Sequence, residues 1–126
     1  LTKEDKILIN EVAPRPHNSG HHTIECCMTS QFDQHIRSVL DLPLGETEIL
    51  IPGIMVNLVG ENKVEGNVIY KNLNDIFDIP GVFIHIYGKK KSRLNRKMGH
   101  VTIVNRDIEK AIEIGKKIKK EIKVIS

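Results

Sequence analysis

The sequence is poor in aromatic residues, since its 126 residues contain no Trp, three Phe and two Tyr. Ile, Val and Leu must therefore supply most of the core, which favours a domain rich in β-strands. The hydrophobic share of 40% is enough for a real core. The length suits one ordinary domain and is too short for a multidomain enzyme with a separate nucleotide-binding half.

Long apolar segments are also absent. No apolar run approaches the roughly 18 residues of a membrane-spanning helix, because the longest candidate is interrupted at Pro52 and Gly53. Residues 1–6 carry charges with no apolar stretch after them, unlike a signal peptide. We therefore expect a soluble chain without a membrane partner. Because the first residue is Leu1 rather than Met, we also expect that the chain is cut from a longer protein.

Cysteine is limited to the adjacent pair Cys26 and Cys27. A disulfide between neighbours would be strained and no third cysteine is available, so we expect a reducing, cytoplasmic setting. The nearby histidines His17, His21 and His22 invite a zinc site. Their spacing is wrong for one, because neighbouring residues on a strand point to opposite faces. We expect both cysteines to be packed in the interior.

The positive charge is concentrated in the second half of the chain. Residues 1–60 carry four Lys or Arg against eight acids, whereas residues 61–126 carry fifteen against eight. A local anion site in the second half explains this asymmetry better than a surface for nucleic acid. The lysine-rich C-terminal segment contains no aromatic residue for base stacking, so we predict no nucleic-acid partner.

The spacing of apolar residues predicts an α+β fold. Short β-branched or alternating runs predict strands at residues 7–12, 46–52, 54–59, 82–87 and 100–105, of which the last two form a hairpin with a long loop. Thr29 or Ser30 can cap a helix that buries one face. A short helical turn and a C-terminal helix over residues 107–122 complete the prediction. The apolar residues whose spacing predicts these three helical elements are Phe32, Ile36, Val39 and Leu40, then Leu73, Ile76 and Phe77, then Ile108, Ala111, Ile112, Ile118 and Ile122.

Polar side chains alternate along a stiff segment that follows the first predicted strand. Two prolines restrict the backbone there, and an extended conformation places Glu11, Arg15 and His17 on one face. This row could bind a metal, orient an anion or form a salt-bridged strand end. We favour a functional role for the whole row. A carboxylate oxygen suits Mg²⁺, which proteins usually hold with one or two carboxylates plus substrate phosphates.

The predicted hairpin loop is strongly basic. Residues 89–97 contain six cations and no acid. Arg binds phosphate with its two-pronged guanidinium and Lys with its point charge. A solvated hairpin tip is the alternative. Gly99, just after the loop, favours the phosphate site because it lets the backbone approach a ligand closely.

Several catalytic motifs are missing. The sequence contains no glycine-rich phosphate loop of the P-loop or dinucleotide-binding type, no metalloprotease motif and no serine nucleophile elbow. If the protein uses ATP, most of the ATP site must therefore lie elsewhere.

Three segments of the sequence form a distinctive set. They are Ile-Asn-Glu-Val-Ala-Pro-Arg-Pro-His-Asn-Ser-Gly-His at 9–21, then Thr-Ser-Gln-Phe at 29–32 with Met-Val-Asn-Leu at 55–58, then His-Ile-Tyr-Gly-Lys at 85–89 with Arg-Lys-Met-Gly-His at 96–100. Together they resemble the 5-(carboxyamino)imidazole ribonucleotide synthetase family of ATP-grasp ligases. The resemblance implies that residues 1–46 end an ATP-grasp domain and that residues 47–126 form a small β-rich C-terminal domain with a terminal helix.

The resemblance also implies a reaction. ATP, bicarbonate and 5-aminoimidazole ribonucleotide would give the carboxyamino product, ADP and phosphate through carboxyphosphate, in a cytoplasmic enzyme of purine biosynthesis that is a homodimer at full length. The chain alone is expected to be inactive. Two alternatives are a related ATP-grasp carboxylase or formyl transferase, and a non-catalytic domain that binds anions or RNA.

The same resemblance assigns roles to individual residues. Glu11 resembles a Mg²⁺ ligand and Asn10 a residue that contacts ATP. Arg15 and His17 resemble residues near bicarbonate or carboxyphosphate, while Lys89 and Arg96 resemble those that approach this intermediate and the phosphate of the ribonucleotide. The family often has Gly at the position of Asn95, which puts the geometry of the basic loop in question.

Overall fold

A computed structural model describes residues 7–126. Three α-helices and seven β-strands are present in this range. The helices are α1 (Thr23–Cys26), α2 (Gln31–Val39) and α3 (Ile108–Glu121), and single 3₁₀ turns occur at Asn18–Gly20 and Leu73–Ile76. The strands are β1 (Gly53–Val59), β2 (Gly66–Asn67), β3 (Ile69–Lys71), β4 (Val82–Ile86), β5 (Lys91–Ser92), β6 (Lys97–Val104) and β7 (Lys123–Ile125). None of the helices in residues 7–126 is long and apolar enough to cross a membrane.

The central element is an antiparallel sheet with strand order β1-β6-β4. The predicted hairpin is confirmed, because β4 pairs with β6 so that Ile84 lies opposite Val101. Strand β6 is longer than predicted and pairs on its other side with β1. Two small ribbons, β2-β5 and β3-β7, flank this sheet. The topology puts β6 in the middle, where both of its edges are hydrogen-bonded.

One face of the sheet forms the core against α3. Val101 and Ile103 of β6 are fully buried and pack with Ala111 and Ile118 of the helix. The helix approaches β1 so closely that a Cβ on Gly115 would lie 2.3 Å from Ile54 Cδ1. The alternating apolar residues of β6 and the helically spaced apolar residues of α3 thus pack against each other and form one core.

The opposite face of the sheet is covered by the segment around α1. Cys26 is 2% exposed and packs beside β1, where a Cβ on Gly53 would lie 2.6 Å from its Sγ. Cys27 is only partly buried, so the expectation of interior packing holds fully for Cys26 alone. Leu50 N donates to Cys26 O at 2.8 Å, which fixes the segment after α2 to the same region. This second layer positions the candidate site.

The helix ends follow their local signals. Ser30 accepts a hydrogen bond from Asp33 N at the start of α2, and Asp107 accepts one from Glu109 N at the start of α3. The cap at Ser30 agrees with the prediction for this helix, and the cap at Asp107 reflects the same preference of short polar side chains for this position. The predicted burial of one face of α2 is wrong, because Ile36 is 55% exposed within the described residues.

Two predicted strands are not formed. Residues 7–12 have no regular structure, and Ile9 is 93% exposed. Residues 46–52 contribute only an isolated bridge between Ile49 and Cys27. In both segments the β-branched residues are present, but no neighbouring strand among the described residues supplies the ladder of backbone hydrogen bonds. The extended row of Glu11, Arg15 and His17 is therefore not held by a strand.

Candidate active site

A row of polar residues crosses the face of the sheet that lies opposite α3. Asn57 of β1, His100 of β6 and His85 of β4 occupy directly opposed positions in neighbouring strands. The two imidazoles stack with ring centroids 4.4 Å apart and an interplanar angle of 11°. His100 is only 3% exposed. A buried histidine between two partly buried polar side chains in one row of a small sheet indicates a site rather than ordinary core packing.

The row is contacted from above by α1 and from the side by the end of β4. Glu25 Oε1 lies 2.6 Å from His85 Nε2, and the Glu25 side chain is 7% exposed. Tyr87 places its hydroxyl 2.9 Å from His100 Nδ1. His21 covers the His100 ring at a centroid distance of 4.9 Å. These contacts join the segment around α1 to the sheet through titratable side chains.

Burial sets the protonation of this cluster. Desolvation lowers the pKa of His100 to about 4, with further lowering from His85 and His21. Desolvation also lowers the pKa of His21, and the nearby groups Lys97, His17 and His85 lower it further, in that order. Burial raises the pKa of the Tyr87 phenol. At neutral pH the His100 imidazole and the Tyr87 hydroxyl are therefore both neutral, and their hydrogen bond carries no net charge.

The 3₁₀ turn after His17 is bonded to the sheet by one asparagine. Asn18 Nδ2 donates to Asn57 Oδ1 at 2.8 Å, and Asn18 Oδ1 accepts from Lys97 Nζ at 3.0 Å. Lys97 begins β6, so this contact spans 79 residues of sequence. The asparagine amide thereby brings the proline-rich segment beside the basic loop, as needed if both contribute to one anion site.

Lys89 lies at the same place. Its Nζ donates to Lys97 O at 2.7 Å and sits 5.6 Å from the centroid of the Tyr87 ring. The carbonyl oxygen and the aromatic face both favour a localised ammonium group. Asn18, Lys89 and Lys97 thus form a connected polar group, which can hold an anion through two ammonium groups and an amide. His17 lies beside this group as the residue before Asn18.

The remaining predicted site residues are not joined to this group by any contact among residues 7–126. Asn10, Glu11 and Arg15 are exposed, and Arg15 Nη1 donates to Pro16 O at 3.2 Å. Arg96 turns back on its own loop, where Nη1 donates to Lys91 O at 3.1 Å and lies 3.7 Å from Glu65 Oε2. Their sequence-based roles remain predictions.

The geometry of the basic loop explains why asparagine can occupy the position where the resemblance implies glycine. Asn95 has φ = 62°, in the left-handed region. Asparagine is among the few residues besides glycine that adopt this conformation readily. Asn95 N donates to Gly60 O at 2.8 Å, which fixes the turn to the end of β1. The loop therefore needs no glycine at this position.

The described residues offer little for a metal ion by themselves. Within residues 7–126 no three His, Cys, Asp or Glu side chains are grouped so that they could hold one. The exposed carboxylate of Glu11 fits the single protein carboxylate that Mg²⁺ often takes when substrate phosphates supply other ligands. These residues therefore fit a share of a Mg²⁺ site rather than a complete one.

Sequence reasoning missed the roles of most residues around this site. His85 and His100 were recognised only as part of a resemblance, and Glu25, Asn18 and Gln31 received no role. One signal was available, because a hairpin between residues 82–87 and 100–105 can place His85 opposite His100. The contact of Glu25 with His85 joins residues 60 apart in sequence and leaves no local pattern.

Comparisons with known proteins agree with this architecture. The family described as "ATP-grasp domain" matches residues 1–32, and the family described as "Phosphoribosylaminoimidazole carboxylase C-terminal domain" matches residues 53–114. The chain is 44% identical over 113 residues to the N5-carboxyaminoimidazole ribonucleotide synthase of Bacillus subtilis, covering 90% of this chain and 28% of that protein.

Solved structures give the same result. The crystal structure of N5-carboxyaminoimidazole ribonucleotide synthetase from Thermotoga maritima is 56% identical and superposes with a TM-score of 0.95, covering 100% of this chain and 35% of that one. The Aspergillus clavatus N5-carboxyaminoimidazole synthase, solved with ADP and 5-aminoimidazole ribonucleotide, is 36% identical with a TM-score of 0.78 over 94% of this chain and 33% of that one. The chain therefore spans about a third of these structures.

The fold and the two family matches define the class: the end of an ATP-grasp domain followed by a small β-rich C-terminal domain with a terminal helix. The chain belongs to the N5-carboxyaminoimidazole ribonucleotide synthase family of ATP-grasp ligases.

Proposed function

We propose that this chain supplies the C-terminal part of a ligase that uses ATP and bicarbonate to carboxylate 5-aminoimidazole ribonucleotide in purine biosynthesis, through carboxyphosphate. One observation carries the proposal. Lys97 of the C-terminal domain donates to Asn18, which follows His17 in the ATP-grasp segment, and Lys89 donates to the carbonyl oxygen of Lys97. An anionic intermediate formed between the two domains would find fixed cations there. The names of the relatives support this substrate and cofactor.

The roles of the residues follow from the charges that develop in such a reaction. Transfer of a phosphoryl group to bicarbonate spreads negative charge over oxygen atoms, and fixed cations stabilise it. Lys89 and Arg15 serve this purpose in our proposal, with His17 as a hydrogen-bonding partner. Arg96 receives the phosphate of the ribonucleotide, for which its guanidinium would turn away from Lys91 and Glu65. The surface salt bridge to Glu65 costs little to break.

The nucleotide site receives two residues from this chain. Glu11 would bind Mg²⁺, with the phosphates of ATP and other parts of the complete ligase providing the remaining ligands, and Asn10 would contact the nucleotide. Bound Mg²⁺ would neutralise charge on the phosphates. The exposure of residues 7–13 leaves both side chains accessible for these contacts.

Domain boundary, assembly and location complete the proposal. We place the boundary between residues 46 and 47, in the irregular segment between α2 and β1. The complete ligase would act as a homodimer, which light scattering on the purified enzyme tests directly. The two unpaired cysteines suit a cytoplasmic setting.

The activity is tested with the complete ligase that carries this segment. Formation of the carboxyamino product should require ATP, bicarbonate and 5-aminoimidazole ribonucleotide together, and a substrate panel separates this reaction from those of related carboxylases and formyl transferases. The 126-residue chain alone should not hydrolyse ATP. Hydrolysis by the chain alone, stimulated by the ribonucleotide, would show that the rest of the ligase is not needed.

Replacing Arg96 by Ala should raise the KM for 5-aminoimidazole ribonucleotide by about tenfold, because one charge-assisted contact to phosphate is lost. The KM for ATP should change little. Steady-state kinetics of the complete ligase measure both constants. Arg93→Ala removes a cation from an exposed part of the same loop and is the matched control. Equal effects of the two substitutions on the ribonucleotide KM would remove the role given to Arg96.

Replacing Glu11 by Gln should raise the KM for Mg-ATP by about tenfold, because a neutral amide is a weaker Mg²⁺ ligand than a carboxylate. A rise in the Mg²⁺ concentration needed for half-maximal rate should accompany it. Kinetics at varied Mg²⁺ and fixed ATP measure this shift. Glu46→Gln, at another exposed carboxylate, is the control. An unchanged Mg²⁺ dependence in Glu11→Gln would contradict the proposed metal role.

A further inference from the structure

The side chain of Gln31 pairs with the backbone of His17 as a neighbouring β-strand would. His17 N donates to Gln31 Oε1 at 2.9 Å, and Gln31 Nε2 donates to His17 O at 2.8 Å. The same Nε2 lies 2.7 Å from His21 Nδ1. One primary amide therefore satisfies both backbone groups of His17 and holds the ring of His21. Its orientation is determined by the His17 contacts, since the amide oxygen must face a donor and the nitrogen an acceptor.

The position of Gln31 is itself fixed by its surroundings. It is the first residue of α2, and its backbone N donates to Thr23 Oγ1 at 2.8 Å. Gly20 leaves the space that the amide fills, because a Cβ there would lie 2.5 Å from Gln31 Oε1. A helix start, a hydroxyl and a glycine thus converge to hold one side chain, which is more support than a surface glutamine requires.

The amide holds the backbone of a residue whose ring is also oriented. Ser19 N donates to His17 Nδ1 at 3.3 Å, and Ser19 Oγ lies 2.9 Å from the same atom. Because Nδ1 accepts from the backbone, the proton of the neutral ring resides on Nε2. The next residue, Asn18, is bonded to Lys97. Any shift of the His17 backbone would therefore move both the Nε2 donor and the asparagine that joins the two domains.

We propose that Gln31 is a positioning residue that acts through His17, holding this histidine in register with Asn18, Lys89 and Lys97. This inference rests on the proposed ligase function. Loss of the paired hydrogen bonds frees the turn to move by about an ångström, and a displacement of that size lowers a rate by roughly 10- to 100-fold. Binding of substrates, which depends on many other contacts, changes less.

A matched control lies one turn further along the same helix. Gln34 pairs with the backbone of Gly45 in the same way, with Nε2 to Gly45 O at 2.7 Å and Gly45 N to Oε1 at 3.0 Å. Gln31→Met and Gln34→Met each remove two hydrogen bonds to backbone and keep a side chain of similar length. Both should lower the thermal stability of the complete ligase by similar amounts, while only Gln31→Met lowers kcat, by about 10- to 100-fold.

A double-mutant cycle with His17→Ala separates positioning from general weakening. If Gln31 acts through His17, adding Gln31→Met to His17→Ala should change kcat by less than about twofold, whereas independent effects would multiply. Gln31→Glu keeps the acceptor for His17 N and loses the donor, so it should give a smaller loss of kcat that also disappears in the His17→Ala background. This variant serves if Gln31→Met does not fold.

The outcomes distinguish the inference from the function on which it rests. A wild-type enzyme that forms no carboxyamino product would overturn the proposed function. An active wild type in which Gln31→Met resembles Gln34→Met, or in which the effects of Gln31 and His17 multiply, would overturn the positioning role alone. The positioning role is supported if Gln31→Met lowers kcat while Gln34→Met does not, and if this loss disappears in the His17→Ala background.

Discussion

Replacing Lys89 by Met should lower the kcat of the complete ligase by about 100- to 1,000-fold, the effect typical of removing one fixed group that stabilises charge in a transition state. Lys89 is half-buried, and its Nζ is held by Lys97 O and by the face of Tyr87. The ammonium group is therefore positioned before substrate arrives. Steady-state and single-turnover kinetics measure whether the loss falls on the chemical step.

Lys90 provides the control for this substitution. It is the next residue in the chain and is exposed, so Lys90→Met removes the same charge from the loop without touching the polar group. Lys89→Arg should remain impaired, because a planar guanidinium cannot reproduce the contacts of a compact ammonium group at this position. A similar kcat in Lys89→Met and Lys90→Met would show that the loop acts only through its overall charge.

The parts of the fold that follow from the sequence are those with local signals. Ser30 and Asp107 start helices because their side chains bond to nearby backbone N–H groups, and alternation along residues 101–104 marks the central strand. Strand β7 was missed because Lys123–Ile125 pairs with Ile69–Lys71, far away in sequence. Residues 7–12 have the composition of a strand, but composition does not supply a partner.

The same distinction applies to the site. The segment around His17 and the loop carrying Lys89 were found as sequence strings, whereas their meeting through Asn18 depends on a contact across 79 residues. The apolar spacing of α2 correctly predicted a helix but not its surroundings, because Val39 is 69% exposed. The spacing of apolar residues identifies an amphipathic face, but it does not show which residues pack against that face.

The buried His100 should make the stability of the fold depend on pH. His100 has a pKa of about 4 in the folded chain, below its ordinary value of 6.5, since burial and the neighbouring His85 and His21 disfavour its charged form. Between these two pH values the unfolded chain binds a proton that the folded chain does not. The free energy of unfolding therefore falls as pH decreases through this window, by about 3 kcal/mol in total.

Urea unfolding of the chain at pH 7.5 and pH 4.5 measures this loss. His100→Asn cannot take up the proton and offers Tyr87 an amide in place of the imidazole. Its free energy of unfolding should therefore fall less on acidification than that of wild type, and the difference between the two losses should be about 2 kcal/mol or more. The control is His35→Asn, at an exposed histidine of α2, which should retain the wild-type pH dependence. Equal pH dependence in wild type and His100→Asn would mean that His100 does not determine the acid response.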